Sequence, residues 1–320
     1  MEACYLQDKV NVTSSDVIGM VFITFQTFFG LWINAFIVSV LVIALVKKKS
    51  INSNEKILLF LGCSRFLYFC FAWAGTFVLI FYPWLYNVPA IPWLFSAIQD
   101  FINFSNMWAS CCLSIFYCIK IAIFQHSFFT FLKAKIDRMV PWMLTGSVLL
   151  SLIIPTLAYK MNCEMRCDTL NATSVGDFWR QTVKLDRCFF PSFFLIGFGF
   201  ATTFLAVIFS ALLLLFSLWR HKRRMQANSV RNISVDAHIK AMKSILSFFF
   251  LYSINFTALV LSLVFATKMD NALWLLLSAF LNAFPVLHSL VLMFSNPKLE
   301  KTQMRIVVWV KRKVCRNSEL

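Results

Sequence analysis

Long runs without Asp, Glu, Lys or Arg alternate along this chain with short clusters of charge. The uncharged runs cover 17–46, 101–119, 139–159, 188–219, 244–267 and 271–297, and a seventh, 57–81, is interrupted only by Arg65. Each reaches or nearly reaches the roughly 20 residues with which an α-helix crosses about 30 Å of hydrocarbon. Helices also satisfy their own backbone hydrogen bonds where no water can. The pattern predicts an all-α membrane protein, a seven-transmembrane helix bundle in one domain over 1–320. Its spans are expected at about 17–46, 57–81, 95–119, 139–159, 188–219, 241–267 and 271–296, followed by a short amphipathic tail helix. The longer connections are expected at 158–187 and 220–243. The two halves carry no matching pair of broken helices, which speaks against a transporter built from inverted repeats.

Polar residues inside the spans repeat at helical spacing. In the third, Gln99, Asn103, Met107 and Ser110 share a face, with Asn106, Ser114 and Tyr117 close to it; in the seventh, Ser278, Asn282, Pro285 and Ser289 do the same. Gln26, Gly30 and Asn34 repeat every four residues in the first span, and Tyr252 and Asn255 form a pair in the sixth. Lipid offers such groups no hydrogen bonds, so these stripes face inward, either as glue between helices or as the lining of a site. Arg65 is a separate case. A charge inside a span costs at least a few kcal/mol, so it is expected to face the bundle and find acceptors, with Asn34 and carbonyls near Ser289 as candidates. A structural clamp and a network that rearranges between two states both fit it.

The composition, 60% hydrophobic and 14% charged, agrees with a membrane solvent. A formal charge of +16 raises the question of nucleic acid. The location of the charge answers it. With the first end outside, the inner segments hold 22 of the 30 Lys and Arg against five acids, Glu55, Asp137, Asp236, Glu300 and Glu319. That is the positive-inside bias of a membrane protein, so no nucleic-acid partner is implied and the C-terminus is cytoplasmic. At the inner end of the fifth span LLLLFSLW runs directly into Arg220, His221, Lys222, Arg223 and Arg224, where anionic headgroups and any cytosolic partner meet the chain.

The first residues are polar and carry acids, unlike a cleavable signal peptide, so the first helix is expected to serve as the insertion signal. Asn11 and Asn171 begin acceptor sequons for N-glycosylation in segments placed outside. Cys163, Cys167 and Cys188, with Cys4, also lie outside and are candidates for disulfides of open pairing, whereas Cys63, Cys70, Cys111, Cys112 and Cys118 lie within spans as packing residues. Cys315, in a basic inner tail, is a candidate for palmitoylation. No enzyme is implied: the four histidines sit at or near inner helix ends without a nucleophile and carboxylate, no zinc-ligand spacing occurs, and no cofactor-binding glycine loop is present.

Several stretches together resemble one receptor family. GLWINAFI (30–37), LGCSR (61–65), NFSNMWASCCLSIFYCIKIAIF (103–124), LLFSLWRHKRRMQ (214–226), DAHIKAMKSILSFFFLY (236–252) and HSLVLMFSNPKLEK (288–301) are similar to segments of the type 2 bitter-taste receptors, which are G-protein-coupled receptors. Two departures stand out: Gln99 replaces the family's usual Trp, and Thr203-Phe204 stands where Pro-Phe is common. The resemblance implies a multi-pass chemoreceptor glycoprotein of the plasma membrane. Small, mostly apolar bitter compounds would bind among the outer thirds of helices 2, 3, 6 and 7, at Asn103, Gln99, Trp73, Met107, Asn255 and Ser278. Below that pocket an activation network is expected from Asn34, Arg65, Tyr117, Tyr252, His288 and Ser289. Lys120 and Arg220, His221, Lys222, Arg223 and Arg224 would face a heterotrimeric G protein of the gustducin or inhibitory class, with membrane lipids as the competing partner. A vomeronasal-type pheromone receptor and a seven-helix transporter or channel remain as alternatives.

Overall fold

The computed structural model describes residues 14–48, 50–82, 90–122, 127–170, 178–227, 234–264 and 271–317. Within those helices, side chains are not described at several stretches, chiefly 158–193 and 224–245. The described residues form eight helices: α1 (Ser14–Lys48), α2 (Ser53–Phe81), α3 (Ala90–Ile121), α4 (Ser127–Leu170), α5 (Phe178–Ala227), α6 (Ser234–Val264), α7 (Asn271–Ser295) and α8 (Pro297–Asn317). Neighbours in sequence pack side by side, α7 closes back onto α1, and α3 crosses the middle to touch α2, α4 and α5. The result is a seven-helix bundle with α8 at its basic end. Among the described residues α1 to α5 each hold a stretch long and apolar enough to cross a membrane, and α6 holds a shorter one at Leu246–Ser262.

Two elements begin where the local chemistry says they should. The Asn52 N–H, left without an intrahelical partner at the start of α2, donates to Glu55 Oε2 (3.2 Å), and Glu55 Oε1 accepts from Lys298 Nζ (2.8 Å). One carboxylate thus caps α2 and fastens α8 to it. Asn296 Oδ1 accepts the N–H groups of Lys298 (3.0 Å) and Leu299 (3.3 Å), an N-cap followed by proline at the first helical position. The sharp stop and restart turns the chain by 90° between α7 and α8. Leu299, fully buried, anchors the first turn of α8 in the core, while Met304, Ile306, Val307 and Trp309 stay exposed, as an amphipathic helix lying on a membrane requires.

The segment 158–187, expected as a loop, is instead mostly helical: α4 runs on to Leu170 and α5 starts at Phe178. From Thr156 to Leu170 no Gly or Pro interrupts the chain, so backbone hydrogen bonding continues after the apolar run has ended. Helix and membrane span are set by different properties and need not end together. Two close approaches shape the bundle. A Cβ on Gly30 would lie 2.4 Å from the Phe69 ring, and one on Gly199 would lie 2.9 Å from that of Phe104, so these glycines let α1 meet α2 and α5 meet α3 at short range.

Candidate functional site

Arg65 lies at the centre of the bundle and is 1% exposed. Its Nη1 donates to Ser289 Oγ (2.8 Å), and its Nη2 reaches Ser110 Oγ (3.2 Å) and His288 Nδ1 (2.5 Å). A guanidinium only donates, so His288 Nδ1 accepts and the ring carries its hydrogen on Nε2. Ser289 passes the chain on, its hydroxyl donating to Asn34 Oδ1 (2.9 Å), and Asn34 Nδ2 donates to Gly30 O (2.7 Å). Ser110 in turn donates to Asn106 O (2.8 Å). Five side chains from α1, α2, α3 and α7 therefore share one buried layer. Sequence reasoning brought Asn34, Arg65, His288 and Ser289 together correctly but expected carbonyls as acceptors. The structure uses hydroxyls and an imidazole, because carbonyls in continuous helices are already engaged. No carboxylate pairs with Arg65 among the described residues.

Above this layer lies an aromatic one. Phe104 stacks on Phe200 (centroids 4.6 Å apart), Phe204 on Phe256 (3.9 Å), and Tyr252 meets Phe284 edge-on (5.5 Å). Phe248 sits 4.4 Å from the His288 ring and joins the two layers. Met107 is buried within this cluster, and Asn255 is buried on α6 one turn beyond Tyr252. The Tyr252 hydroxyl is buried without a hydrogen-bond partner. Thr203 stands beside it, but Thr203 Oγ1 donates to Phe200 O. None of the α5 and α6 rings was named from the sequence, although Phe200 and Phe204, and Phe248, Tyr252 and Phe256, recur every four residues, a signal of one packed face.

Nearer the end opposite α8, Gln99 bonds to Tyr68, whose hydroxyl donates to Asn282 Oδ1 (3.0 Å), and Gln26 Nε2 donates to Ala279 O (3.0 Å). Gln99, Asn103 and Met107 rise along α3 on the face that carries Ser110 below, with Asn103 half-buried. Trp73 is 38% exposed and stacks on Phe77 (5.4 Å), one step off the face that α2 buries with Tyr68, Phe69 and Ala72. The side chain of Ser278 is not among those described, nor are those of His221, Lys222, Arg224, Cys163, Cys167 and Cys188; Asn11 and Asn171 lie outside the described residues.

On the basic side of the Arg65 layer, a cavity of about 410 Å³ is lined by Ser114, Tyr117, Leu214, Phe248, His288 and Leu292, among others. Tyr117 bonds to the Asn54 side chain rather than to the Arg65 layer. At the rim, Lys120 Nζ pairs with Asp137 Oδ2 (2.5 Å), both about half exposed, and Ser53 donates to the Asp137 carbonyl (3.4 Å). Asp137, expected at a solvated loop end, in fact fastens α4 to α3 and α2. Arg220 and Arg223 are exposed at the end of α5, with the Arg223 guanidinium 3.9 Å from the Trp219 ring.

This arrangement, seven helices around a buried polar layer with a perpendicular amphipathic helix behind the last, is the fold of G-protein-coupled receptors. The crystal structure of squid rhodopsin superposes with a TM-score of 0.60 over 92% of this chain and 87% of that one, at 14% identity. The particular family follows from sequence: the model of the family described as taste receptor protein (TAS2R) matches residues 12–311, and the chain belongs to that family. It is 33% identical to chicken (Gallus gallus) taste receptor type 2 member 40 over 91% of this chain and 94% of that one. It is 31% identical to member 7 of Papio hamadryas over 94% and 95%, and 28% identical to human member 2 over 93% and 98%. The family is one of multi-pass membrane receptors, not enzymes.

Proposed function

We propose that this chain is a bitter-compound receptor of the plasma membrane, oriented with its N-terminus outside, that couples to a G protein of the gustducin or inhibitory class. A small, largely apolar compound enters from the outer end and contacts Gln99, Asn103, Met107, Asn255 and Ser278, with Trp73 at the edge. Its binding biases the Arg65 layer, and the inner ends of α3, α5 and α6 respond. Lys120 and the Arg220–Arg224 cluster then meet the C-terminal segment of Gα. A ligand drives such a change only by preferring one state over the other.

The observation that carries this reading is the register of α3. Met107 and Ser110 are one turn apart, so the helix that lines the outer recess also holds an acceptor of the buried Arg65. A displacement of α3 by a ligand therefore alters the Arg65 layer directly. Calcium release in cells expressing the chain with a Gα chimera ending in the gustducin tail, against a panel of bitter compounds, tests it. The parent is expected to respond, and Asn103→Ala at matched surface expression is expected to lose most of the response. Persistence of the response in Asn103→Ala removes Asn103 from the site. Loss of the response in a variant that neutralises Arg220, Arg223 and Arg224, with normal surface expression, supports G-protein contact; an unchanged response assigns the cluster to lipid headgroups.

A further inference from the structure

The Arg65 layer contains an imbalance that its hydrogen bonds do not resolve. Arg65 Nε is buried and has no hydrogen-bond partner. The rest of the guanidinium meets two serine hydroxyls and a neutral imidazole, none of which carries negative charge. One hydrogen bond away, through Ser110, the Asn106 side chain also holds a buried polar atom, Oδ1, without a partner. The oxygen and nitrogen of an amide exchange places when the side chain flips, and the flipped form presents an N–H at that position. Every group that remains uncommitted at this point is then a donor: Arg65 Nε–H and the Asn106 amide.

We propose that Arg65 and Asn106 form a binding site for a small monovalent anion of chloride size. A buried cation is stable only when paired or fully hydrogen-bonded, and no carboxylate pairs with Arg65 among the described residues. An anion supplies the missing charge and accepts from the donors that the hydroxyls leave unused. A single water would accept from one of them but would not neutralise the guanidinium. The cavity lined by Ser114 and Tyr117 ends at His288, the neighbour of Arg65, and so brings solvent space from the basic end close to the site. The cluster of Lys and Arg at that end concentrates anions there. This proposal concerns the resting protein and does not depend on the bitter-compound assignment.

The test uses the full-length purified receptor in detergent micelles. Thermal unfolding is followed at constant ionic strength and constant sodium while gluconate, too large for the site, is replaced by chloride or bromide. The midpoint is expected to rise by a few degrees and to saturate with halide concentration, as binding to the folded state alone requires. Asn106→Leu, which keeps the arginine and its three bonds, is expected to remain folded and to lose the saturating part of the halide response. A direct signal comes from ³⁵Cl line broadening: excess width that bromide displaces in the parent and that is absent in Asn106→Leu. A midpoint indifferent to the anion, or a halide response equal in parent and Asn106→Leu, overturns the proposal and leaves Arg65 to solvent water.

Discussion

The two sides of the bundle that meet at α3 are joined by different means. Toward α1, α2 and α7 the contacts are hydrogen bonds, from Asn34 through Ser289 and Arg65 to Ser110, with Tyr68 and Asn282 above them. Toward α5 and α6 they are rings, Phe104 on Phe200 and Phe204 on Phe256, with one tyrosine hydroxyl left unpaired among them. Hydrogen bonds to a charged group are directional and lose most of their strength when misaligned, so the first side holds one register. Stacked rings keep much of their contact when they slide. The second side therefore permits the displacement of α5 and α6 that signalling at their basic ends would need, and the first side gives that displacement something fixed to move against.

Breaking the hydrogen-bonded side should have the largest effect. Ser289→Val removes an acceptor of Arg65 and the donor to Asn34 together, and a destabilisation of about 3 kcal/mol is expected because bonds to a buried charge are worth more than neutral ones. The folded fraction after detergent extraction, read by fluorescence-detected size exclusion, should fall sharply; a parental elution profile would mean that this side is not the rigid one. Gly30→Ala comes next, at about 1–3 kcal/mol, since its methyl would collide with the Phe69 ring. Combining it with Phe69→Leu should recover part of the lost thermal midpoint, which a purely helical effect of the alanine would not allow.

On the ring side, Phe204→Leu is expected to cost about 1 kcal/mol through the lost stack with Phe256. Tyr252→Phe removes a hydroxyl that pairs with nothing in this conformation, so its stability should stay within about 0.5 kcal/mol of the parent. Its signalling is the informative quantity. Reduced agonist efficacy with unchanged stability would place the partner of that hydroxyl in the activated state, whereas full efficacy would remove Tyr252 from the switch. The smallest effect belongs to the rim. Lys120→Ala should shift stability by no more than about 0.5 kcal/mol, because the pair with Asp137 is half exposed.

Much of this protein is written in its order of residues. A helix must be apolar wherever lipid surrounds it, so uncharged runs marked the bundle, and the crowding of Lys and Arg marked one end. Arg65 announced itself as the one charge inside a span core, and Asn34 and Ser289 were legible as partners because polar stripes at helical spacing point inward. What remained hidden needed distances between helices. The sequence placed His288 near an inner helix end, and only the packing of α7 against α2 made it an acceptor of Arg65. Asp137 could be seen to be charged but not to reach Lys120 across a turn of chain. The rings of α5 and α6 are phenylalanines among 37, indistinguishable by type from those that face lipid, and packing alone selected the few that stack. Composition and periodicity decide what each helix can tolerate outside; which side chains meet inside is decided by the crossing of helices that are far apart in the chain.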